Sequence, residues 1–227
     1  MKQYILIFSV LLFIQSCKSD KKTEVVEEIE ATEDKLLTTS EKIAKAYGLD
    51  NWDQVNTMTF AFNVKKDSSV FKRSWVWSPK TNDVILITAN DTLRYNRDQI
   101  DSKFVNADKA FINDKFWLLA PFNLVWDSGT TLSEPIQETS PIGKKMLNKI
   151  TLVYPDTGGY TPGDAYDLYY NSDFLIEEWV YRKGNAAAPS MMSTWENNKN
   201  FKGILIALSH KKTDDNWELF FTDVSIN

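Results

Sequence analysis

Phe111-Ile-Asn-Asp-Lys-Phe-Trp-Leu-Leu-Ala-Pro-Phe-Asn-Leu-Val-Trp126 is the most apolar segment beyond the first forty or so positions. It interrupts a chain that otherwise reads as strand after strand. Asp114 is placed to cap a short helix starting near Lys115, and Pro121 is expected to end or kink it. Phe104, Ala107 and Phe111 lie on one face of an earlier helix, so the break covers roughly residues 101–122. An apolar helix among antiparallel strands has to cover the oily face of a sheet. This stretch therefore predicts a β architecture with a central helical lid or plug.

On its N-terminal side the hydrophobic period is two. Met58, Phe60, Phe62 and Val64 alternate with small or polar residues, and Phe71, Arg73, Trp75 and Trp77 continue the pattern. Residues 84–88 and 92–95 make two more strands, joined at Asn90-Asp91. Before them, Thr38 and Glu41 match a capping box. Ile43, Ala44 and Tyr47 form an apolar helical face, and Gly48 suits the C-terminal cap.

Beyond the helical break strands resume at 146–154, near Leu168 and Tyr170, and at 174–182. Three more follow at 191–195, 203–209 and 218–226, with 211–216 as a turn. This gives about ten or eleven strands, adjacent in sequence and so mostly antiparallel. No internal repeat argues for a propeller or solenoid. The expected fold is mainly β with α: a curved antiparallel half-barrel with a central helical lid or plug and a short N-terminal helix.

The start of the chain is of another kind. Lys2, an apolar run over residues 4–14 and then Gln15-Ser16-Cys17 read as a cleaved export signal. The run falls short of the roughly 20 apolar residues of a membrane span. Ile14-Gln-Ser-Cys17 resembles the lipobox of bacterial lipoproteins, with Ile14 where Leu is usual. That resemblance implies cleavage before Cys17, lipidation of Cys17 and attachment to a membrane. Lys18 follows, not the Asp associated with inner-membrane retention, which points to the outer membrane. The expected organisation is a signal peptide at 1–16, a lipidated tether at 17–37 and one domain at 38–227. Cys17 is the one cysteine, so no disulfide within the chain is possible. The tether carries an acidic patch at 24–30 and reads as a solvated helix or a disordered spacer.

The net charge is −5, and no basic stripe is present. Nucleic acid is thereby a poor partner, since binding to phosphate chains rests on clustered Lys and Arg. His210 is the single histidine and sits where Lys211 and Lys212 suggest a solvated turn. Zinc or a Ser-His-Asp triad would hang on it alone. Asp127-Ser-Gly129 and Asp156-Thr-Gly158 resemble aspartic-protease triplets, but they lie too close in sequence for separate lobes, and turn chemistry explains both. The loop at 156–164 offers oxygens for calcium without the ligand spacing of a dedicated site, and a plain hairpin loop is the simpler reading. Glu177 and Glu178 point to opposite faces of a strand and make no dyad. The expectation is no catalytic residue, no metal, no cofactor and no enzyme activity.

What remains is aromatic surface. Trp75 and Trp77 share one strand face, and Trp179 and Tyr181 share another. With Phe60, Phe62 and Phe111, and with Phe116, Trp117 and Phe122, they are candidates to line a cavity for a hydrophobic ligand or acyl chain. Core packing is the competing reading for each.

The order of elements resembles the lipoprotein-localisation (LolA/LolB-like) fold and a lipoprotein family related to it. The resemblance spans residues 38–227. It rests on the lipobox and the helical insertion with Phe116-Trp-Leu-Leu-Ala-Pro-Phe122, and on residues 170–176 and Trp195 followed by 201–205. It implies an acyl-chain cavity between a half-open barrel and its helices, and a role in lipid or lipoprotein trafficking. A packed interaction or scaffold module, or a glycan-binding lipoprotein, is the alternative. Lines of contact to lipid do not transfer position by position.

Overall fold

The capping box at Thr38 starts the described part of the chain. In the computed structural model, which describes residues 36–213 and 215–227, Thr38 Oγ1 accepts the Glu41 amide and Glu41 returns a carboxylate to the Thr38 amide. Helix α1 (Thr39–Ala46) follows. The expected signal peptide, the lipidation site Cys17 and the tether up to residue 35 lie outside the described residues.

Gly48 sits just past α1 with φ +93 and packs against a second turn. A Cβ there would lie 1.9 Å from the Gly203 carbonyl oxygen. Nearby, the Leu205 amide donates to the Tyr47 carbonyl and the Ile176 amide donates to the Tyr47 hydroxyl. The end of α1 therefore ties together two distant strands. Gly48→Ala is expected to cost about 2–3 kcal/mol, from strain plus backbone collision. Gly158→Ala, at φ +82 with open space around it, is expected to cost about 1 kcal/mol from strain alone. Urea titration of both variants checks the contrast, and equal losses would remove the close approach as the cause.

Strands β1 (Met58–Lys66), β2 (Ser69–Ser78), β3 (Asp83–Ile87) and β4 (Thr92–Asn96) form a meander, as their alternation predicts. Helix α2 (Val105–Trp126) comes next. The chain then forms two short strands, β5 (Thr131–Leu132) and β6 (Ile136–Thr139), that both pair with β7 (Met146–Val153). Beyond them come β8 (Ala165–Tyr170), β9 (Ile176–Arg182), β10 (Met191–Thr194), β11 (Glu196–Phe201), β12 (Ile204–Lys211) and β13 (Trp217–Ile226).

The strands make two antiparallel sheets that do not close into a barrel. One runs β11-β12-β13-β1-β2-β3-β4, and the other runs β10-β9-β8-β7-β5, with β6 also on β7. They meet where one stretch of chain changes sheets. The Trp195 amide still donates to Glu177 next to β9 strand pairing, whereas Glu196 already pairs with Ser209 of β12. Beyond the expected strands the structure adds β5, β6 and β11. The first two are too short to show a period, and β11 (Glu-Asn-Asn-Lys-Asn-Phe) is too polar.

The central insertion runs on as helix through Asp114, where a new helix was expected to start, and is interrupted later. It carries a kink at Leu119 (φ −130, ψ 22), two residues before Pro121, because the proline ring displaces the backbone preceding it. Asp114 is not a cap. It is fully buried and accepts two hydrogen bonds from Arg73, both 2.5 Å, and one from Trp75 Nε1 at 2.7 Å. Two turns earlier on α2, the buried Asp108 accepts from Arg97 Nε at 2.7 Å and from the Tyr95 hydroxyl. Two carboxylates thus strap α2 to the first sheet through arginines on β2 and just after β4.

His210 departs most from its expected place. It is sealed in the core, with its ring 4.1 Å from Trp195 and 5.2 Å from Trp117. The inward face of β12, set by Ile204 and Ile206, extends to position 210, and Lys211 is the one exposed residue of the strand. Burial depresses the imidazole to about 3, so the ring is neutral.

The outer face of the second sheet is covered as well. Glu178 is buried there and accepts from Ser140 Oγ and from the amides of Ile142 and Gly143. That folds the β6–β7 turn over Leu147, Tyr169 and Val180. Among the described residues no helix is long and apolar enough to cross a membrane.

Candidate functional site

Helix α2 is apolar nearly all round, which makes it a partition with two sides. On one side it packs tightly. Phe111 meets Trp75 and Trp77 edge-on at 5.4 and 5.6 Å, and Trp52 fits between Trp77, Phe122 and Trp126. On the other side, facing β8, β9 and β10, it leaves a cavity of about 780 Å³. This volume falls in the roughly 300–1,000 Å³ range of sites that take a single small ligand.

The ten aromatic candidates divide along this partition. Phe116, Trp117, Trp179 and Tyr181 line the cavity. Phe60, Phe62, Trp75, Trp77, Phe111 and Phe122 are buried in the core away from its lining. Strand alternation places a side chain inward but carries no information on whether the inside is filled at that point.

The apolar wall is continuous. Trp117 lies 4.4 Å from Trp179, Phe116 lies 4.6 Å from Tyr166, and Tyr166 stacks on Tyr181 at 5.3 Å. Tyr166 is a wall residue that the sequence reading passed over, although it stands two positions before Leu168 on the same face of β8. The other end of the cavity is polar. Arg97, Lys109, Asn113, Lys115 and Asp127 line it. Asp127 accepts a 2.5 Å hydrogen bond from the Tyr154 hydroxyl, and burial together with that carboxylate pushes the phenol upward, so it stays protonated.

The glycine-rich loop forms the cover. Residues 157–161 line the cavity from above, with Gly158 and Gly159 at positive φ. At its tip the Tyr160 hydroxyl donates to Asp108 of α2 at 2.8 Å. At its base Asp164 accepts from the Tyr181 hydroxyl and the Gly184 amide. The Asp164 carboxylate is thus used in fixing the loop, and among the described residues no group of three or more His, Cys, Asp or Glu side chains that could hold a metal ion is found. Both Asp-Ser/Thr-Gly triplets fall in turns at this rim, with Gly129 and Gly158 at positive φ.

Taken together, the fold defines a mainly β protein with two unclosed antiparallel sheets, and a helix between them that borders an aromatic cavity. No protein-family model matches the chain, and no curated protein does. Among solved structures it is similar to a DUF1329 family protein from Desulfovibrio piger, with 10% identity and a TM-score of 0.43, over 83% of this chain and 92% of that one. At that level the likeness bears on neither ligand nor activity.

Proposed function

We propose that this chain is a lipid-anchored protein of the cell envelope, held at the outer membrane through Cys17, that binds one hydrophobic ligand without catalysing a reaction. The observation that carries the reading is the aromatic cavity of about 780 Å³ between α2 and the second sheet. Water in such a space gains little from ring faces, and an apolar chain replacing it is favoured by about 25 cal/mol per Å² of surface buried. The anchor rests on the lipobox resemblance, and a trafficking role for lipid or lipoprotein rests on the resemblance to the LolA/LolB-like fold. Sealing of His210 in the core supports a non-enzymatic role, because it removes the one imidazole from reach of a substrate.

Native mass spectrometry of protein purified from cells provides the test. One ligand of lipid mass per chain is expected, released by organic extraction and taken up again on adding fatty acid. Ile112→Trp, which fills the cavity from α2, is expected to abolish uptake while leaving the melting temperature within a few degrees of the parent. An empty protein that takes up no apolar probe would overturn the reading. Uptake of soluble oligosaccharides instead would favour a glycan site.

A further inference from the structure

Lys115 is the one cation within the apolar stretch 111–126, and its position is unlike that of its neighbour. Asp114 turns to the first sheet and is fully paired. Lys115 lines the cavity, and among the described residues its Nζ makes no hydrogen bond and no ion pair within 4 Å. Its contacts are ring faces: Trp126 at 5.6 Å and Trp77 at 5.9 Å from the ammonium to the centroids. Such contacts contribute about 0.5–2 kcal/mol and leave the ammonium protons without an acceptor from the protein.

The charges around it do not supply that acceptor. Asp127, at the end of α2, is engaged by the Tyr154 hydroxyl. Asp108, earlier on α2, is held by Arg97, Tyr95 and Tyr160. Arg97 and Lys109, which also line this end, add positive charge. The polar end of the cavity thus presents three cations, of which only Arg97 has an acidic partner, the shared Asp108, against the single lining carboxylate of Asp127. The far end offers the rings of Phe116, Trp117, Tyr166 and Trp179.

We infer that the ligand is an amphipathic anion, a single apolar chain ending in a carboxylate, whose head group seats on Lys115 beside Trp126 while the chain lies along the aromatic wall. This rests on the proposed ligand-binding role of the cavity and names the chemistry of its occupant. A carboxylate supplies the missing acceptors and neutralises a half-buried charge, which a neutral lipid cannot do. Burial, opposed by Asp127, draws the ammonium down to about 8, so it is still mostly protonated at pH 7 and any anion brought beside it restores its charge.

The test uses the full chain carrying Cys17→Ser, so that no acyl group of its own competes. Palmitic acid and hexadecanol, which share a chain and differ in charge, are titrated at pH 7 against quenching of tryptophan fluorescence. The acid is expected to bind about ten- to a hundredfold tighter than the alcohol, the range of a charge-assisted hydrogen bond. In Lys115→Met, which keeps the aliphatic stem, this preference of acid over alcohol is expected to vanish. The same variant is expected to melt no lower than the parent without ligand, since it removes a half-buried charge that lacks a partner in the protein. Equal affinity of the parent for acid and alcohol would overturn the head-group assignment and leave the cavity reading intact. So would a preference that survives Lys115→Met. Failure of the parent to bind either probe would overturn the cavity reading itself.

Discussion

Asp114→Ala is expected to destabilise the protein by about 3–5 kcal/mol, because it leaves the Arg73 guanidinium next to the core without its counter-charge. The carboxylate is fully buried and takes three hydrogen bonds from the first sheet, two from Arg73 and one from Trp75 Nε1. Removing it orphans all three donors, and a buried unpaired donor costs about 1–3 kcal/mol by itself. For a domain of this size the loss corresponds to a fall in melting temperature on the order of 10 °C. The pair also fixes the rotation of α2, and with it which residues face the cavity. Asp114→Leu combined with Arg73→Met is expected to recover much of the stability, since two apolar groups in place of a buried pair leave no uncompensated charge. Urea unfolding followed by tryptophan fluorescence measures the single and double variants. A loss below about 1 kcal/mol for Asp114→Ala would show that the strap contributes little.

Stability is expected to fall as acidity rises through a window set by His210. In the folded chain the imidazole is neutral down to about 3, since burial among Trp117, Trp195 and Phe221 depresses it and outweighs the backbone hydrogen bonds to Thr194 and Ala207 that oppose the shift. In the unfolded chain it takes up a proton near its ordinary 6.5. Below that value the unfolded state binds more protons, so the contribution is fully present above pH 6.5 and is lost progressively toward pH 3. The slope is about 1.4 kcal/mol per pH unit, accumulating about 4 kcal/mol by pH 3.5. His210→Leu is expected to flatten the part of this slope between pH 6 and 5, where ordinary carboxylates still contribute little. Urea midpoints at several pH values give the measurement. Parallel pH profiles for the parent and His210→Leu would rule out the imidazole as the source.

Most strands were legible because one face of each is buried, and a buried face writes a period of two into the sequence. Met58 to Val64 and Phe71 to Trp77 are found in β1 and β2, and the capping box at Thr38 is found where the pattern puts it. Strands β5, β6 and β11 escaped because they pair at edges, where hydrogen bonding and not burial selects the residues. His210 was misplaced for a related reason: two following lysines outweighed an alternation that continues through Ile204 and Ile206. Of the cavity, the aromatic character was legible and its location was not. Ten inward rings read alike in sequence, and four of them border empty space.

The stretch 111–126 shows where the division falls. By itself the sequence determined that this segment is helical, apolar on all sides, kinked near Pro121 and set among strands, because these are local consequences of periodicity and ring closure. Only the tertiary structure decided what its two adjacent charges do. Asp114 turns to Arg73 and Trp75 and becomes part of the core; Lys115, about 100° further round the helix, comes to the cavity and stays unpaired. Which side of a helix is filled depends on groups 40 positions before it and 60 after it, and no local pattern encodes that distance.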